Sequence, residues 1–163
     1  MTSSLITTEA FRKLVTQGEV YRLVVNPSTE IPWNELREQA RHATTTSYAP
    51  YSHVRVGACA ITTDGRFVVG ANVENASYGL TLCAECSLIS DLTRVGGGRL
   101  RAASIVAGDG KPMAPCGRCR QLLYEHGGNE LLIDAGDGND PRPLSELLPE
   151  AFGPEDLGSR RSE

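Results

Sequence analysis

Five cysteines occupy positions 59, 83, 86, 116 and 119, and four of them form two C-x-x-C pairs, Cys83-Ala84-Glu85-Cys86 and Cys116-Gly117-Arg118-Cys119. An odd number of cysteines makes a poor disulfide framework, whereas paired thiolates at this spacing are ligands for zinc, held in a tetrahedron with sulfur at about 2.3 Å. Residues 87–115 separate the pairs. That interval exceeds the roughly 15–20 residues of a zinc ribbon, so regular elements must fill it. Two readings are open. If all four cysteines bind, the metal's shell is closed and nothing reactive remains; if three bind, the fourth position belongs to water and the site is catalytic. Glu85 favours the second. A carboxylate inside a ligand motif can sit beside the metal without binding it and take a proton from the water that the metal acidifies. A purely structural site has no need of an acid there.

The elements that must position these residues follow from the surrounding pattern. Trp33, Leu36 and Ala40 recur at helical spacing behind Pro32, which predicts a helix from Trp33 to about Thr46, broken by Tyr48-Ala49-Pro50-Tyr51-Ser52. Val54, Val56, Ala58 and Ala60 alternate with Arg55, Gly57, Cys59 and Ile61, and after the turn signal Thr63-Asp64-Gly65-Arg66 the run Phe67-Val68-Val69 completes a β-hairpin. A polar loop with Gly79 covers Asn72–Leu82. A helix from about Cys83 to Val95 ends at Gly96-Gly97-Gly98, Arg101–Ala107 suits a buried strand, Cys116–His126 a second helix, Glu130–Asp134 another strand, and Ser145–Leu148 a short last helix. This order implies an α/β fold, a mixed central sheet with helices on both faces. Both C-x-x-C pairs then open a helix, whose positive end offsets part of the charge that three thiolates leave on Zn2+. Arg118 and Arg120 are placed either to assist or simply to face solvent.

Composition narrows the partners. A chain of 163 residues is about one domain's worth. Its net charge is −4, with basic residues scattered rather than gathered in a stripe, which argues against nucleic acid and leaves room for a small ligand. No apolar run reaches the roughly 18 residues of a membrane span. Met1–Glu9 lacks the basic and apolar regions of a secretory signal, so a cytoplasmic setting is expected. Residues 1–32, with a short helical pattern over Glu9–Thr16, read as an appendage, residues 33–157 as the functional domain, and residues 158–163 as a disordered tail.

A zinc ligand, one residue, a non-ligand Glu and a later P-C-x-x-C is the arrangement of zinc nucleobase deaminases, and Cys83-Ala84-Glu85 followed by Pro115-Cys116-Gly117-Arg118-Cys119 fits it. Tyr48-Ala49-Pro50-Tyr51-Ser52 with Val56-Gly57-Ala58, Asn72-Val73-Glu74-Asn75-Ala76-Ser77-Tyr78, Arg120-Gln121, and Leu147-Leu148-Pro149 with Ala151-Phe152 add to the likeness. Together, in this order, they resemble the small cytidine deaminases over roughly Trp33–Leu157, and Cys83-Ala84-Glu85-Cys86 looks most like an actinobacterial member. The resemblance implies a three-layer α/β/α sandwich, a homotetramer with shared active sites, and one zinc per subunit on Cys83, Cys116 and Cys119. It makes Glu85 the proton shuttle in deaminating cytidine and 2′-deoxycytidine for pyrimidine salvage. It assigns Asn72 and Glu74 to ribose hydroxyls, Ala76 and Tyr78 to the nucleoside pocket, the Ala84 backbone N–H to the base carbonyl, and Phe152 to the base pocket of a neighbouring subunit. The plainer alternatives are a loop-stabilising amide for Asn72, a solvated charge for Glu74, a buried structural tyrosine for Tyr78 and a core phenylalanine for Phe152.

Three positions depart from the family's pattern. Val54 replaces a common phenylalanine, losing aromatic stacking near the pyrimidine. His53 stands where asparagine is common and reads as a loop residue. Cys86 stands where an arginine usually donates to the zinc thiolates; a neutral thiol offers at most one weak bond, so compensation is expected, with Arg120 as its source. Cys59, on a predicted strand, reads as a small buried hydrophobe.

Overall fold

The computed structural model describes residues 30–158. The pattern over Glu9–Thr16, nearly all of the 1–32 appendage and the tail beyond Gly158 lie outside the described residues. Helix α1 (Trp33–Ala43) buries Leu36, Ala40 and Ala43 on one face. It stops short of Thr46 because Thr44, Thr45 and Thr46 turn their hydroxyls back onto the carbonyls of Arg41, His42 and Ala43, and the chain tightens into a 3-10 turn.

Strands β1 (Val56–Thr62) and β2 (Phe67–Ala71) form the hairpin, followed by α2 (Ala84–Arg94), β3 (Leu100–Ala107), α3 (Gly117–Gly127), β4 (Leu132–Ile133), β5 (Arg142–Pro143), α4 (Leu144–Leu147) and α5 (Pro154–Gly158). The sheet order is β2-β1-β3-β4-β5. β1 is antiparallel to both β2 and β3, β3 is parallel to β4, and β4 is antiparallel to β5. The sheet is therefore mixed, as expected, and β2 and β3 run in the same direction. The strand expected over Glu130–Asp134 keeps only two residues in the ladder, and β5 and α5 are additions.

Alternation along β1 separates two cores. Cys59 and Ile61 pack with Leu36, Ala40, Ala102 and Val106 under α1, while Ala58 and Ala60 pack with Leu88, Leu92, Ile105 and Leu123 under α2 and α3. These are the three layers of an α/β/α sandwich. Two glycines let the helices approach. A Cβ on Gly57 would lie 1.9 Å from the Ala40 carbonyl oxygen, and one on Gly70 would lie 2.3 Å from both the Ala84 carbonyl oxygen and the Leu88 nitrogen.

Two arginines pin the layers. Arg66 donates to the carbonyls of Val95 and Gly97 at 2.6 Å each, closing the C-terminal end of α2. Arg37 of α1 forks onto Asp134 beyond β4 at 2.7 and 2.8 Å and also reaches Asp137. Asp134 is further held by the Ser104 hydroxyl at 2.7 Å and the Gly136 N–H at 3.0 Å. No helix among the described residues is long and apolar enough to cross a membrane.

Candidate functional site

Cys83 and Cys116 are the residues that cap α2 and α3, each with extended backbone and no side-chain capping bond. Their sulfurs are therefore free to point outward from two converging helix N-termini. The two sulfurs lie 3.9 Å apart, and all three of Cys83, Cys116 and Cys119 have sulfurs within 4.8 Å of one another. Tetrahedral zinc with sulfur at 2.3 Å sets neighbouring sulfurs about 3.8 Å apart, so the donors present fit the ion. Cys86 stands outside this cluster; its sulfur accepts instead from Arg118 Nη2 at 3.1 Å. Three protein ligands would leave one position of a tetrahedral ion for water, and Cys116 is the exposed member of the three.

The donors' electrostatics call for a cation. Burial pushes the Cys83 thiol above its ordinary value and Cys119 far above it, and the charge of Glu85 adds to both. For Cys116 burial pushes the same way, but hydrogen bonds from the Cys119 backbone and the neighbouring thiols outweigh it and hold this thiol below its ordinary value. A divalent cation displaces the protons that the buried sulfurs would otherwise keep. Glu85, in the first turn of α2, is 4% exposed. Burial raises its carboxyl above the ordinary range, against the opposing influence of the Cys119 thiol and the Arg118 charge. Burial thus favours the protonated form of Glu85, whereas a dication held by the neighbouring thiolates would favour the ionised form.

A cleft of about 360 Å³ is lined by Tyr51, Ser52, Glu74, Tyr78 and Thr81. Glu74 accepts from the N–H groups of Tyr51 at 2.9 Å and Ser52 at 3.2 Å, and from the Ser52 hydroxyl. These donors, the hydroxyl foremost, hold the carboxyl below its ordinary range. Asn72 does stabilise a loop: its Oδ1 accepts from Ser47 Oγ at 2.5 Å and Val56 N–H at 2.8 Å, and its Nδ2 donates to the Val54 carbonyl at 2.9 Å. One amide hydrogen remains beyond these bonds.

Tyr78 is 77% exposed rather than buried, edge-on to Tyr51 with ring centroids 6.2 Å apart. Phe152 is 54% exposed, so it is not core; it lies outside the cleft lining, and its carbonyl accepts from Gln121. Ala76 is exposed on the loop, and Ala84 is wholly buried at the start of α2. The guanidinium beside Cys86 belongs to Arg118, not Arg120, which donates to the carbonyls of Pro115 at 2.9 Å and Leu147 at 2.8 Å and ties α4 to the start of α3. His53 has φ 59°, a left-handed backbone in which histidine, asparagine and aspartate are enriched, which accounts for His53 and asparagine exchanging there. Cys59 is wholly buried.

Ser47, Ser52 and Thr81 carry no assignment from the motifs. The one sequence signal for Ser52 is a hydroxyl residue two places before a strand-like run, where it can bond its own backbone.

Residues 33–134 match the cytidine and deoxycytidylate deaminase zinc-binding region. Cytidine deaminase from Mycobacterium tuberculosis is 54% identical over 132 residues, covering 81% of this chain and 98% of that one. That from Halalkalibacterium halodurans is 39% identical over 125 residues, covering 75% of this chain and 95% of that one. The crystal structure of the M. tuberculosis enzyme superposes with a TM-score of 0.73 at 56% identity, covering 76% of this chain and 99% of that one. A three-sulfur cluster on this backbone, matched over most of both chains, is a property of lineage as well as of geometry: the chain belongs to the zinc-binding cytidine deaminase family.

Proposed function

We propose that the chain catalyses hydrolytic deamination of cytidine and 2′-deoxycytidine to the corresponding uridines and ammonia, in pyrimidine salvage. The observation that carries this reading is the buried Glu85 carboxyl set against a three-sulfur cluster that Cys86 does not close. When bound at Cys83, Cys116 and Cys119, zinc supplies Lewis acidity that makes water a usable nucleophile near neutral pH. Glu85 accepts one proton as water adds to C4 of the pyrimidine and delivers it to ring N3; it then takes the second proton, from the new C4 hydroxyl, and passes it to the amine as the C4–N bond breaks and ammonia leaves. One carboxyl serves each step because its protonated and ionised forms alternate within the cycle. The Ala84 N–H, in the first turn of α2, meets the base carbonyl, and Asn72 and Glu74 take sugar hydroxyls. Ala76 and Tyr78 flank the nucleoside.

The working form is a homotetramer with shared active sites, in which Phe152 enters the base pocket of a neighbouring copy. The exposure of Tyr48, Tyr78, Leu80, Leu82 and Phe152 supports this, since these are large apolar side chains that a partner subunit would cover. Residues 33–157 form the catalytic unit, working in the cytoplasm. The net charge of −4 favours a nucleoside over a polynucleotide. The test follows cytidine absorbance with and without a chelator, beside metal content per chain. One zinc per chain and loss of turnover with the metal are expected; full turnover after complete zinc removal overturns the reading.

A further inference from the structure

Glu74 is fixed at three points although it sits at the surface of the cleft. Oε2 accepts from the Tyr51 and Ser52 N–H groups, and Oε1 accepts from the Ser52 hydroxyl. That hydroxyl's own oxygen accepts from the Val54 N–H at 3.0 Å. With its accepting side engaged, the hydroxyl's single hydrogen is committed to Glu74. The left-handed turn at His53 follows immediately, and the His53 N–H donates to the Ala49 carbonyl at 3.2 Å. This reversal lets two N–H groups and one O–H converge on a single carboxylate. A carboxylate offers about four lone-pair positions, so one remains, on Oε1.

We infer that Ser52 is the positioning residue for sugar recognition: through its hydroxyl it aims Glu74 so that one accepting position faces a single sugar hydroxyl. The inference rests on the sugar role proposed above for Glu74. Without the Ser52 hydroxyl, Oε2 stays anchored by two N–H groups while Oε1 loses its only tether, and the carboxylate must be ordered at the moment of binding. The loss then falls on substrate affinity and only where the sugar hydroxyl is present.

The experiment compares cytidine with 2′,3′-dideoxycytidine in Ser52→Ala, Ser52→Thr and Glu74→Gln. Loss of a hydrogen bond to a charged group predicts about a tenfold lower kcat/KM on cytidine for Ser52→Ala, mainly through KM. The loss on the dideoxy analogue should be several times smaller, and Ser52→Thr should restore most of the difference. Equal losses on both substrates, or none on cytidine, overturn the role of Ser52. Glu74→Gln separates the underlying reading: if it too treats the two substrates alike, the sugar role of Glu74 fails, whereas if it discriminates and Ser52→Ala does not, only the positioning role falls.

Discussion

Arg118 Nη2 lies 3.1 Å from the Cys86 sulfur and 3.3 Å from the Thr81 carbonyl oxygen, so one guanidinium from α3 clasps both the chain entering α2 and its first turn. The sulfur it holds points to a cation on α3 and not into the metal cluster. Cys86→Ser should therefore retain one zinc per chain and keep kcat/KM for cytidine within a few-fold. Loss of zinc in that variant would support a closed four-cysteine site. Arg118→Gln removes a positive charge that interacts with Cys83 and Cys119 and should weaken zinc affinity by up to about tenfold in chelator competition, the low end of the range for direct partners of metal ligands.

Glu85→Gln keeps the shape of a nearly inaccessible side chain while removing its ability to carry a proton. Zinc content and thermal midpoint should stay near wild type, and turnover of cytidine should fall by about 10²–10⁴, the range of positioned acid–base groups. Metal analysis and steady-state kinetics on one preparation check both halves. Unchanged turnover would remove Glu85 from the mechanism.

Gly70→Ala tests how α2 is seated. The new methyl would meet backbone atoms of Ala84 and Leu88 at 2.3 Å, where ordinary contact begins near 3.4 Å. Backbone in a helix's first turns cannot rotate away as a side chain would, so α2 must be displaced, carrying Cys83 from Cys116. A destabilisation of about 3 kcal/mol and reduced zinc content are expected, at the upper end of overpacking costs. A calorimetric midpoint equal to wild type, with full zinc, would contradict this packing.

Asp134 predicts the acid limb of stability. Although burial alone would raise it, the fork from Arg37, the Gly136 N–H and the Ser104 hydroxyl hold its carboxyl below the ordinary range. A carboxyl depressed in the folded state contributes stability that is present above its unfolded pKa of about 3.9 and is lost as pH falls through the folded value. Asp134→Asn leaves Arg37 without its buried partner and should cost about 3 kcal/mol at pH 7. It should also flatten the decline of the denaturation midpoint below about pH 4 relative to wild type.

Much of the metal centre is legible in the chain because its chemistry demands particular residue types at fixed spacing on helix starts. The two C-x-x-C pairs announce zinc, an acid at Glu85 has no purpose in a closed shell, and the family resemblance singles out Cys83, Cys116 and Cys119 as the ligands. The central strands are equally legible, since Ala58, Ala60, Cys59 and Ile61 alternate as a two-faced strand must. What stays hidden depends on the chain folding back over long separations. Asn72 reads as a substrate amide or a loop amide, and only the path of Ser47–Val56 across it reveals how many of its bonds are internal. Arg118 and Arg120 are indistinguishable by position, two residues apart on one helix, yet one meets a sulfur and the other a pair of carbonyls. β5 eludes periodicity because two residues, one of them proline, carry no pattern.

The common direction of β2 and β3, each antiparallel to the strand between them, governs where the metal ligands meet. Chain leaving either strand emerges at the same rim of the sheet, so α2 and α3 both begin there. Residues 87–115 are in effect an out-and-back excursion that turns round at Gly96-Gly97-Gly98, on the far rim. Residues added or removed at that turnaround would alter the interval between the cysteine pairs while leaving their sulfurs in place. The spacing that sets this chain apart from a zinc ribbon is thus a measure of sheet height and not of the coordination it serves.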